Sequence, residues 1–223
     1  MNIKLFLEAI IKFTLGILII GLLLFVSAGT INYFNGWLFM GLLFIPMFIA
    51  GIIMMIKSPN LLKSRLNAKE KESEQKDIVK LSGLMFIAGF VISGLNYRYS
   101  WMDLPNIVVI IGSIIFVLSY IMYALVLREN IYLSRTIEVQ KNQKVIDTGL
   151  YAIVRHPMYT ATIFLFLSMP LILGSLISFI IFLVYPFIIA KRIKNEEEYL
   201  EKNLKGYKEY KKKVKYKLIP FIW

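Results

Sequence analysis

The sequence predicts an all-α protein: a polytopic bundle of transmembrane helices, five to six spans, with a cytoplasmic C-terminal helical tail. Three observations carry this. The chain of 223 residues is 58% hydrophobic with a mean hydropathy of +0.67, too apolar for an ordinary water-soluble domain. Its apolar residues gather into separate runs, several of them as long as the roughly 20 helical residues that cross a bilayer. Its charge, a net +12, lies mainly between and after those runs. The length allows one membrane domain spanning residues 1–223, whose core is a helix bundle in lipid.

The first run extends from Leu5 to Ala28, interrupted only by Glu8 and Lys12 near its start. It is long enough to span and lacks a small-residue cleavage site, so it is expected to be a span rather than a signal peptide. The second runs from Trp37 to Ile56. A polar segment of both charges, "KSPNLLKSRLNAKEKESEQKDIVK", follows and reads as the solvated end of a helical hairpin. The third run, Leu81–Tyr97, is marginal in length, and the fourth, Ile107–Leu127, is ample. After a mixed, amphipathic segment come two short runs, Met158–Leu173 and Leu176–Ala190, with Pro170 and Gly174 at their junction. These fit either two thin spans or a helical hairpin. The tail after Ala190 is strongly charged and helical in pattern to about Gly206.

Charge sets the expected orientation. Lys57, Lys63, Arg65, Lys69, Lys71, Lys76 and Lys80 lie between runs two and three; Arg128, Arg135, Lys141, Lys144 and Arg155 lie between runs four and five. The alternate connections carry only Arg98. The positive-inside rule then puts both termini, both charged loops and the tail in the cytoplasm. The basic balance is therefore read as topology and affinity for anionic lipid, not as nucleic-acid binding, since no separate basic domain exists. With no cysteine, disulfides, thiolate metal sites and cysteine nucleophiles are excluded. One histidine cannot build a His-rich metal centre. Five of the six runs lack charged residues in their cores, which argues against a small transporter or channel.

The polar residues with the most chemical promise fall in two stretches. In "DTGLYAIVRHPMYT", Gly149 permits a turn and Pro157 suits the first turn of a helix. Arg155 and the lone His156 then precede a membrane helix, whose N-terminus favours anions. That spot suits a ligand carboxylate or phosphate, or a lipid phosphate. In "KRIKNEEEYL", Arg192 and Glu196 share a helix face, either as a surface pair or as partners for bound charges. Tyr207, Tyr210, Tyr216, Phe221 and Trp223 alternate with lysines and read as an interfacial aromatic belt.

"TGLYAIVRHPMY", then "RIKNEEEYL", "GYKEYKKKV" and "IP", together resemble the isoprenylcysteine carboxyl methyltransferase family and the related phospholipid N-methyltransferases. The resemblance covers about Gln140 to Pro220. It departs from the family pattern at Ala161, where glycine is common. It implies an integral-membrane enzyme that uses S-adenosyl-L-methionine (SAM) and a lipophilic small-molecule or lipid substrate. It also implies a division into N-terminal spans, 1–130, and a cofactor-binding part with tail, 131–223. Carried across, the cofactor contacts are Gln140, Gln143, Lys144, Val145, Ile146, Tyr151, His156, Pro157, Met158, Tyr159 and Glu196, with Arg192 as the catalytic residue at the substrate. A lipid-linked carboxylate and a phospholipid amine both remain open as acceptors, as does a non-catalytic scaffold.

Overall fold

The computed structural model describes residues 3–67, 73–134 and 136–223; Lys69, Lys71 and Arg135, counted above toward topology, lie outside them. The helices are α1 (Ile3–Ala28), α2 (Phe34–Lys57), α3 (Pro59–Leu66), α4 (Ser73–Tyr99), α5 (Asn106–Glu129), α6 (Pro157–Ile172), α7 (Leu176–Phe182), α8 (Tyr185–Asn203) and α9 (Tyr207–Lys213). A 3₁₀ turn, Gly149–Ala152, precedes α6. Among the described residues, five helical segments are long and apolar enough to cross a membrane: α1, α2, Lys76–Tyr99 of α4, α5, and Leu176–Asn203, which combines α7 and α8. Much of their large apolar surface faces outward, as bilayer contact requires, and the chain is a multi-pass membrane protein.

The third apolar run proves less marginal than its length implied. Its helix begins at Ser73, because Lys76, Asp77 and Lys80 extend the same helix as an exposed polar turn. The polar segment after α2 is not simply a solvated hairpin end. Pro59 opens α3, and Leu61 and Leu62 are buried on its inner face. Arg65 of α3 hydrogen-bonds the Ser134 carbonyl at 3.1 Å and the Tyr123 hydroxyl.

The bundle interior is aromatic. Phe39, Phe90, Phe116 and Phe182 come from α2, α4, α5 and α7 and are almost fully buried. Phe39 lies 5.5 Å from Phe90 and 6.1 Å from Phe116 between ring centroids, tilted or edge-on as ring quadrupoles favour. Gly112 lets α5 approach α6 closely: a Cβ there would lie 2.8 Å from Leu171 Cβ.

The two short runs form a hairpin. α6 runs into Gly174, and the chain returns through α7 and α8, which are separated by a break at Leu183–Val184. Cross-contacts run antiparallel along it: Tyr185 with Thr162, Arg192 with Tyr159, Glu197 with His156. At the Gly174 end, Tyr33 donates to the Leu173 carbonyl at 2.7 Å and Leu104 N–H to the Gly174 carbonyl at 3.0 Å. At the other end the helical pattern does not stop at Gly206. That residue turns the chain at φ 88° and α9 folds back beside α8.

Candidate active site at the polar end of the bundle

Glu129 ends α5 and turns its carboxylate onto the following loop, accepting from Leu150 N–H at 3.0 Å. Gly149 sits against that carboxylate at φ 53°, where a side chain would collide with it. Tyr151, one residue past Leu150, is thereby tucked inward. Its hydroxyl accepts from Asn130 Nδ2 at 3.0 Å, and its carbonyl accepts from the Tyr210 hydroxyl at 2.8 Å. Pro157 occupies the first turn of α6 with His156 as its N-cap residue, as the motif required.

Around these residues lies a cavity open to the surface. The loop after α5, the start of α6, the polar half of α8, and α9 all contribute walls. Of the twelve candidate residues, Gln143, Lys144, Val145, Ile146, Tyr151, His156, Met158, Tyr159, Arg192 and Glu196 line it. Gln140 and Pro157 do not line it. Gln140 spends its amide on the Tyr132 carbonyl at 2.9 Å, and its N–H on Gln143 Oε1 at 2.8 Å. Pro157 is buried as part of the helix start.

Two charged clusters organise the walls. In the first, the Tyr159 hydroxyl accepts from Arg192 Nε at 2.9 Å and donates to Glu196 Oε2 at 2.6 Å. One phenol thus sets the relative positions of a cation and an anion one helical turn apart. In the second, Glu197 Oε1 accepts from Arg155 Nε at 2.7 Å and lies 3.1 Å from His156 Nε2. Lys211 of α9 approaches the other oxygen of Glu197 at 3.4 Å. Arg155 Nη1 also donates to the carbonyls of Val214 and Lys215 at 2.8 and 2.7 Å. The anion-friendly spot before α6 is therefore filled from within the chain. Arg155 is buried with its guanidinium on Glu197, and His156 turns Nε2 to Glu197.

The tail past α9 is a strap along the motif. Arg155 N–H and His156 N–H donate to the carbonyls of Tyr216 and Lys217, each at 2.9 Å, and the Thr160 hydroxyl donates to that of Leu218 at 2.8 Å. The aromatic-belt reading is corrected for two of its five members. Tyr207 and Tyr210 are buried against Leu204, Val214, Leu200 and Val145 and line the cavity. Phe221 and Trp223 remain exposed, with Lys217 over the Trp223 ring at 4.8 Å. Tyr207 and Tyr210, three residues apart on α9, share a face that helical periodicity makes visible, while Leu200 and Leu204 precede the turn at Gly206. Burial, with Glu197 and Glu196 nearby, pushes the Tyr207 phenol well above its usual range, so it stays protonated. Its hydroxyl is buried and, among the described residues, has no hydrogen-bond partner.

The fold and the site define a class: an integral-membrane, all-helical protein with a polar cavity at one end of its bundle. Residues 108–202 match the model of the isoprenylcysteine carboxyl methyltransferase (ICMT) family, a family of membrane methyltransferases. The match runs from within α5 through nearly all of α8 and stops before α9 and the strap. No curated protein matches the chain.

Proposed function

We propose that the chain is a SAM-dependent methyltransferase acting on a lipophilic small molecule or a lipid-linked carboxylate. The observation that carries this is the cavity itself. It gathers "YAIVRHPMY" and "RIKNEE" about one space at the polar end of a membrane bundle. Its donor set suits the cofactor. Glu196 would hold the ammonium or a ribose hydroxyl, while the rings of Tyr151 and Tyr159 offer apolar faces to the adenine and the sulfonium.

Bound SAM supplies an activated methyl group for in-line displacement. The protein's work is then positioning, which accounts for much of the rate in such reactions. Tyr159 keeps Arg192 and Glu196 in register, so that an anionic acceptor on Arg192 faces a cofactor on Glu196. Arg192 is buried where the apolar part of α8 gives way to its polar half, a place a bilayer substrate can reach. A carboxylate acceptor carries its own nucleophilic lone pair, so no general base is needed.

S-Adenosylhomocysteine at a hundredfold excess over its Kd should stabilise the purified protein by about 2.7 kcal/mol, seen as a raised melting temperature in detergent. No shift at millimolar ligand, with folded protein, removes the cofactor from the reading.

The proposal includes orientation. Both termini and the cavity face the cytoplasm, where a water-soluble cofactor is supplied. The lysine and arginine asymmetry supports this. A cysteine placed at exposed Lys212, in a chain with none of its own, should resist an impermeant thiol reagent in intact cells and react after lysis. Labelling in intact cells reverses the topology.

A further inference from the structure

One wall of the cavity is loop. Leu133, Ser134, Thr136, Ile137 and Glu138 line it, yet between Glu129 and Gly149 the described residues form neither α-helix nor strand. Such a segment has no hydrogen-bond ladder of its own, so its backbone carbonyls need donors from elsewhere. The Tyr132 carbonyl accepts from the Gln140 amide at 2.9 Å, within the loop. The Ser134 carbonyl accepts from Arg65 Nη1 of α3 at 3.1 Å, across 69 residues of chain. Neighbouring Ser64 adds little to this hold. Its single hydroxyl proton goes to the Leu61 carbonyl at 2.8 Å, and the Leu133 carbonyl is 3.4 Å away. Arg65 is the joint. Its Nη1 also lies 3.9 Å from Met158 Sδ at the start of α6, and its Nη2 donates to the Tyr123 hydroxyl of α5. A guanidinium carries enough donors in one rigid plane to hold all three partners at once.

We infer that Arg65 is a positioning residue for the cofactor: it ties the loop wall at Ser134 and the motif residue Met158 to α3, and so sets the width of the cavity between them. Arg65 does not itself line the cavity, whereas Ser134 and Met158 both do. The inference rests on the function proposed above and deepens it. Arg65 belongs to the N-terminal half, outside residues 108–202 that match the family model. The cofactor site is then incomplete in residues 131–223 alone and needs the short helix after α2.

Two variants separate positioning from plain stability. Arg65→Met keeps the apolar stem but removes every donor, and should weaken S-adenosylhomocysteine binding by about tenfold, the low end of what one charge-assisted hydrogen bond is worth. Tyr123→Phe deletes the bond between Arg65 and α5 while leaving the Ser134 and Met158 contacts in place. It should melt lower than wild type and bind S-adenosylhomocysteine with wild-type affinity. Arg65→Lys should fall between wild type and Arg65→Met, because an ammonium serves these partners without the planar fork. Calorimetry with S-adenosylhomocysteine and thermal melts on the full-length proteins decide it. A merely structural bond lowers the melting temperature and leaves the affinity of the folded protein unchanged. Wild-type affinity in Arg65→Met, or in Arg65→Lys where the methionine variant does not fold, therefore overturns the inference. So does an equal loss of affinity in Tyr123→Phe, which places the effect in the packing of α5. If the wild-type protein itself does not bind the ligand, the proposed function fails instead.

Discussion

Replacing Arg192 with alanine should leave SAM affinity within about threefold of wild type and lower methyl transfer by about a hundredfold or more, the scale of losing one aligned charged donor at a reacting group. Arg192 and Glu196 lie on one face of α8 and meet at the Tyr159 hydroxyl. Under the proposed function they divide the labour: the carboxylate would serve the cationic cofactor, the guanidinium an anionic acceptor. In the alanine variant Tyr159 retains its bond to Glu196, so the cofactor side stays ordered. Glu196→Gln should do the reverse first. It preserves shape but loses a charge-assisted hydrogen bond of about 1.5–3 kcal/mol, so SAM affinity falls roughly ten- to a hundredfold. Calorimetry with SAM on both variants, alongside turnover, separates the roles. Loss of SAM binding in Arg192→Ala with none in Glu196→Gln reverses the assignment. An acceptor that is an amine has no use for Arg192, and undiminished turnover in Arg192→Ala would point to one.

Arg155→Ala should be the most destabilising single change in the site, costing about 3–5 kcal/mol, the usual loss when one partner of a buried ion pair is removed. The guanidinium and Glu197 are 4% and 5% exposed at their side chains, so solvent screens little of the interaction. Removing it strands a buried carboxylate with His156 and Lys211 and deprives two strap carbonyls, those of Val214 and Lys215, of a donor. The strap, and α9 with it, should loosen, so limited proteolysis after Lys213 should accelerate together with the fall in melting temperature. Arg155→Lys keeps the charge but cannot reproduce the planar fork, and should fall between wild type and alanine. A melting temperature for Arg155→Ala equal to that of the wild type means the strap is held by its backbone bonds alone.

Much of this protein follows from local sequence. Apolar runs of bilayer length leave the chain little choice but helices, because no other open backbone satisfies its polar groups in lipid. The helix start at Pro157 needs only that residue's fixed φ and missing N–H, and the shared face of Arg192 and Glu196 needs only a period of 3.6 residues. Tertiary structure decided the rest. Met158–Leu173 and Leu176–Ala190 become a hairpin because Gly174 and the break at Leu183–Val184 allow the chain to return along α6. The register of that return determines that Glu197 meets His156 and Arg155 across forty-odd residues of chain. Gln140 leaves the cavity wall because its amide finds the Tyr132 carbonyl. Tyr207 and Tyr210, spaced among lysines as an interfacial belt would be, turn inward because the αL turn at Gly206 folds α9 beside α8. A sequence pattern reports which faces are apolar; which surface covers each face depends on contacts between residues far apart in the chain, and those form only when the whole bundle has closed.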